Sequence, residues 1–153
     1  MFTTRFFIPV PFDRLLIAVD AVLLALSALF VKNFGATYVG AVGGVLVGLL
    51  LPSFLPFSII FMFLYGTIVD GAMFLFRVNA TGQGVNRNRL VIAMAFGTLI
   101  IAFISYYATT VLGVIPSYPY LDMLVLFMGP ASGVSAGYAA AYLWNKHLKA
   151  MTV

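Results

Sequence analysis

Four aspartates (Asp13, Asp20, Asp70 and Asp122), one histidine (His147), no glutamate and no cysteine make up the whole stock of carboxylate, imidazole and thiol side chains in this 153-residue chain. Hydrolytic, redox and metal chemistry needs several such groups converging on one point, and these five are dispersed. The absence of cysteine removes disulfides, thiolate nucleophiles and cysteine–metal sites. His147 stands beside Lys146 and Lys149, which suits an interfacial residue rather than a metal ligand. The stretch Gly40–Gly48 is glycine-rich but lacks the Lys-Ser/Thr pair that ends a nucleotide-binding loop. No catalytic residue, metal ligand or cofactor is assigned. The chain is not expected to be an enzyme by itself, although it suits a non-catalytic subunit of an enzyme complex.

The elements that hold these residues are oily. Aliphatic and aromatic residues make up 63% of the chain and charged residues 8%, with a mean hydropathy of +1.12. Soluble domains carry about 25% charged residues. The expectation is an all-α integral membrane protein, because a bilayer forces the backbone to satisfy itself in helices or a closed barrel. A barrel would alternate apolar and polar residues over about ten positions, whereas the apolar runs here are continuous. The formal charge of +4 does not indicate nucleic acid, because the basic residues sit at the ends of apolar runs, as topological anchors do.

Five segments are predicted as membrane helices of one compact domain over residues 1–153: about 15–31, 36–51, 54–76, 90–112 and 121–144. The second is short and glycine-rich, marginal against the roughly 17–20 residues a crossing needs. It is read as crossing, with a re-entrant segment as the alternative. Arg5 and the apolar stretch ending in Ala25-Leu26-Ser27 have the outline of a secretory leader. Asp20 interrupts that core, so the segment is read as the first helix. Five crossings with the C-terminus inside put Lys32, Arg77, Arg87, Arg89, Lys146 and Lys149 in the cytoplasm and leave Arg5 and Arg14 outside. The expected location is therefore the cell membrane, multi-pass, with the 77–89 loop and the C-terminus cytoplasmic. Gly82 and Gly84 are read as flexible points of that loop.

Small residues recur at helical spacing. Ala18, Ala21, Ala25 and Ala28 form a stripe on the first helix. Gly40, Gly44 and Gly48 do so on the second, and Gly129, Gly133 and Gly137 on the fifth. In lipid, small residues let helix backbones approach closely. The glycines of the second and fifth helices are expected to pack the chain against itself, and the two sets could face each other. The alanine stripe serves equally as an internal seam or as a docking face for a partner subunit. On the fourth helix Thr98, Ser105 and Thr109 are expected to bond their own helix or a neighbour. Asp20 and Asp70 lie inside apolar segments. Each is read as a carboxylate near the interface, wetted or paired with arginine (Asp20 with Arg14, Asp70 with Arg77); the alternative is a ligand or ion contact in a pocket.

The motif Ala21-x-x-x-Ala25, the glycine-rich run from Gly35 to Gly48 and the final Gly129-Pro130-Ala131-Ser132-Gly133 helix ending in basic residues are similar to features of the S-components of energy-coupling-factor vitamin transporters. Those proteins usually have six helices and a longer first loop. The resemblance implies a small-molecule-capturing transport subunit, docked through the alanine stripe, with Tyr38, Asp70, Tyr118 and Tyr120 as candidate substrate contacts. The second hypothesis is a structural subunit of a multisubunit membrane enzyme, such as a membrane-bound monooxygenase or respiratory complex. Expected partners are the lipid bilayer, other integral membrane subunits and, for the first hypothesis, a small-molecule ligand.

Overall fold

The computed structural model describes residues 13–31, 34–50, 55–81, 84–111 and 119–148. These form five helices: α1 (Asp13–Phe30), α2 (Gly35–Leu50), α3 (Leu55–Leu75), α4 (Arg87–Thr110) and α5 (Pro119–Leu143), the last running into a π-helical turn over Trp144–Leu148. The helices alternate in direction. Each packs on its neighbour in sequence, and α1 closes the ring by meeting α5 and also touches α3. One end of the bundle gathers the end of α1, the start of α2, the end of α3, the start of α4 and the π-helical turn. Phe30 meets Trp144 edge-on there, with ring centroids 4.9 Å apart.

Helix ends are set by local chemistry. Asn86 caps α4, its side chain accepting from the Arg89 amide, so α4 begins one turn before the apolar run that opens at Leu90. At the end of α3 the Val78 amide reaches the Met73 carbonyl (2.9 Å) and the Arg77 amide reaches Phe74 (3.1 Å). This is a Schellman closure, with Arg77 at φ 50° in the left-handed position that glycine usually takes. Phe34, at φ 60°, makes the corresponding sharp entry into α2.

The core is built from small side chains with a few large ones among them. Ala21 and Ala25 of α1, Ala36 of α2, Ala93 of α4 and Ala136, Ala140 and Ala141 of α5 are buried with Leu24, Leu29, Val69, Met73, Leu90, Met94 and Trp144. The glycine stripes are indeed interhelical seams, but not with each other. The α2 stripe faces α3: a Cβ on Gly40 would strike the Met62 carbonyl, and one on Gly66 would strike the backbone of Ala36 and Thr37. The α5 stripe faces α4. A Cβ on Gly129 would lie 2.7 Å from the Ala102 Cβ, and one on Gly137 would lie 2.8 Å from the Val91 Cα. The stripes thus pack the chain against itself, and they do so in two sequence-adjacent pairs, α2–α3 and α4–α5, with the second and fifth helices not facing each other. Short connections favour such antiparallel neighbours. Thr98 and Thr109 bond carbonyls of their own helix, at Met94 and Ser105, each at 2.8 Å, as expected.

The 77–86 connection is fastened to the bundle. Val85 is buried, and Val78 and Ala80 pack against the core. Asn145 clamps Val85 from both sides: the Val85 amide donates to Asn145 Oδ1 (2.8 Å), and Asn145 Nδ2 donates to the Val85 carbonyl (3.1 Å). Gly84 is therefore a fitted position and not a flexible point. It sits at φ 121°, and a Cβ there would meet the Asn145 amide; Gly82 lies outside the described residues.

Large apolar side chains face outward on every helix, among them Leu23, Leu49, Phe63, Phe103 and Phe127. By length and composition, Arg87–Thr110 is the one described helix long and apolar enough to cross a membrane, with mean hydropathy 2.1. Val19–Phe30, Gly35–Leu46 and Ile59–Leu75 are shorter apolar stretches.

The seams generate a contrast. Gly66→Ala should cost about 1–3 kcal/mol, because its methyl meets backbone that cannot swing aside. Gly71→Ala, where a Cβ meets nothing within 4 Å, should be neutral or stabilising by up to about 1 kcal/mol through helix propensity. Denaturant titration of the two variants in detergent, followed by circular dichroism, measures both; equal effects would contradict the seam.

Candidate functional site

Asp70 accepts three hydrogen bonds between helices. It lies in the last turns of α3 and reaches across to the start of α2. The Ala36 amide donates to Oδ1 (3.2 Å); the Thr37 amide and the Thr37 hydroxyl both donate to Oδ2 (2.7 Å each). A helix start leaves four amides without intrahelical acceptors and carries the positive end of the helix dipole. Asp70 supplies from a neighbouring helix the cap that Phe34, preceding Gly35, cannot supply locally. Gly66, one turn before Asp70, lets the two backbones come close enough for these bonds.

This corrects the expected pairing of Asp70 with Arg77. Among the described residues no ion pair joins them, and the carboxylate is engaged by α2. The candidate substrate contacts are not brought together either. Tyr38 lies on the first turn of α2 with 67% of its surface exposed, near the Asp70 end. Tyr120 lies on the first turn of α5, at the opposite end of the bundle; Tyr118 lies outside the described residues. The alanine stripe is turned inward: Ala21 and Ala25 are fully buried and Ala28 packs against the core, so the chain itself covers the face proposed for a partner. Nothing is described of the Ala18 side chain. Gly44 and Gly48 are buried in α2. Asp20 is half-buried in α1, within electrostatic reach of Tyr65 on α3; the Arg14 side chain, its expected partner, is outside the described set.

A second polar feature was not anticipated as a site. A groove of about 390 Å³ opens between the start of α4 and the end of α5, lined by Arg87, Tyr138, Ala141, Tyr142, Asn145 and Lys146. The Arg87 guanidinium lies 5.1 Å from the Tyr138 ring centre, with Nη1 3.4 Å from its hydroxyl. Lys146 Nζ donates to the Tyr142 hydroxyl (2.8 Å) and stands 5.2 Å from that ring's centre. Cations over aromatic faces are held by the ring quadrupole. Among the described residues neither cation meets a carboxylate. The signal in the sequence was Tyr138, Tyr142 and Lys146 at four-residue spacing, which puts a tyrosine ladder and a cation on one helix face. In the sequence Arg87 and Lys146 stand only as topological anchors at the ends of apolar runs.

Among the described residues no group of three or more His, Asp or Glu side chains is placed to hold a metal ion. No family model matches the chain, and no curated protein or solved structure is significantly similar to it.

Two outcomes test this arrangement. Asp70→Ala should lower stability by about 2–3 kcal/mol, the loss of a charged cap, and Asp70→Asn by less, because an amide oxygen still accepts. Hydrogen exchange at the Ala36 and Thr37 amides should accelerate in both. Asn145→Ala should release the 77–86 connection, read as faster trypsin cleavage after Arg77 and Arg87 with global stability changed far less.

Proposed function

We propose that this chain is a non-catalytic integral membrane subunit whose task is structural: a closely packed helical bundle embedded in a bilayer and associated with other membrane proteins. The observation that carries this reading is the outward apolar surface. Phe74 is 87% exposed and Phe127 81%, and comparable side chains project from each of the other helices. Contiguous apolar surface on this scale belongs against lipid or against another protein. The interior supports the same reading, because its polar groups hold helices together: Asp70 caps α2, and Asn145 fastens the connection between α3 and α4.

The substrate-capturing alternative has less support. Tyr38 and Tyr120 lie at opposite ends of the bundle, the carboxylate is engaged by α2, and the docking stripe is turned inward at Ala21, Ala25 and Ala28. Partner contact is better assigned to the exposed strips, such as Tyr38, Val42, Val45 and Leu49 along one face of α2. Arg77, Arg87, Arg89 and Lys146 share one end of the bundle, which supports a cytoplasmic assignment for that end.

The expected outcome is that the chain stays in the membrane pellet after alkaline carbonate washing. Native mass spectrometry of gently solubilised membranes should then show it at fixed stoichiometry with other integral membrane chains. Release into the soluble fraction would overturn the membrane reading. A free monomer that binds a vitamin-sized molecule would overturn the structural role in favour of capture.

A further inference from the structure

We propose that the groove between α4 and α5 is a binding site for the phosphate of an anionic phospholipid. This rests on the membrane-embedded reading above. Three independent features of the groove converge. The first is charge without countercharge. Arg87 and Lys146 flank the opening, both exposed, and their described partners are tyrosines. The chain has only four carboxylates. Asp70 is committed to α2, Asp20 lies midway along α1 within electrostatic reach of Tyr65, and Asp13 and Asp122 belong to the first turns of α1 and α5, at the far end of the bundle.

The second is a built arrangement of donors. The Tyr138 and Tyr142 hydroxyls stand beside the two cations. Arg87 is the first residue of α4, so the positive dipole end of that helix lies at the same place. An arginine fork, an ammonium and two phenols suit a phosphate oxygen cluster better than a carboxylate. The Asn145–Val85 clamp keeps the groove floor fixed.

The third decides between a lipid and a free phosphate. From the groove an exposed strip runs down α5 through Tyr138, Val134, Ala131 and Phe127. The spacing is four, three and four residues, so the strip stays on one face. A polar socket at the helix end that continues into an apolar track has the two-part chemistry of a phospholipid. The headgroup phosphate sits between Arg87 and Lys146, and an acyl chain lies along the strip. Basic pockets between helices at a membrane surface bind anionic headgroups in this way.

The chain's single tryptophan, Trp144, directly precedes Asn145 and Lys146 and can report occupancy. The full chain is reconstituted in phosphatidylcholine vesicles containing either dansyl-labelled phosphatidylglycerol or dansyl-labelled phosphatidylcholine, and energy transfer from Trp144 is recorded. The expected result is transfer to the anionic lipid well above transfer to the neutral one. Arg87→Gln with Lys146→Gln should reduce that preference about tenfold or more, the loss of two charge-assisted contacts to the phosphate. Arg77→Gln with Arg89→Gln, which removes two cations outside the groove lining, should leave the preference largely intact. Equal losses in the two double variants would overturn the site in favour of general surface charge. Displacement of the anionic lipid by inorganic phosphate at constant ionic strength would overturn the lipid assignment and leave a free-phosphate site. Transfer to the neutral lipid with no anionic preference would sink the site and spare the membrane reading. No transfer to either lipid would sink both.

Discussion

The bundle depends on how closely two backbones can approach. At Gly66 the α2 and α3 chains are near enough that no side chain fits between them, and this proximity lets the Asp70 carboxylate bond the Ala36 and Thr37 amides directly. Each feature needs the other. A larger residue at position 66 would lift α2 away from its acceptor, and without the acceptor the helix start would lose the cap for its first amides. The opposite seam, between α4 and α5, uses the same close approach at Gly129, Gly133 and Gly137 but needs no carboxylate, because α4 carries its own cap at Asn86.

Much of the architecture was legible in the residues, for a physical reason. Long apolar runs separated by Pro, Gly and basic residues admit few arrangements besides helices, and five helices are found. Small residues at three- and four-residue spacing correctly marked faces of close contact. Periodicity, however, locates a face and does not name its partner. Gly40 faces Met62 rather than the α5 stripe, because the α2–α3 connection already brings those helices together. Ala21 and Ala25 line the core for a related reason: α1 must close the ring against both α2 and α5, and its smallest face is the one that fits.

The polar residues were less legible because their roles depend on three-dimensional proximity. Asp70 shares a helical face with Arg77 in sequence, yet its bonds go to residues more than thirty positions earlier. Asn145 looks like an ordinary residue near a helix end, yet its amide imitates a strand partner for Val85, sixty positions away. Arg87 and Lys146 were visible as cations at the ends of apolar runs. Their convergence on one groove required the antiparallel placement of α4 and α5.

The sixteen residues of α2 have one more consequence. At 1.5 Å per residue such a helix is about 24 Å long, several ångströms less than the roughly 30 Å of an average hydrocarbon core. Across the bundle α4, at twenty-four residues, suffers no such deficit. In a bilayer the two flanks of this bundle would impose different local thicknesses, with acyl chains compressed beside α2 and relaxed beside α4. Under the membrane-embedded proposal, that asymmetry would disfavour an isolated molecule in a thick membrane and would give a neighbour with an equally short helix a reason to settle on the α2 flank.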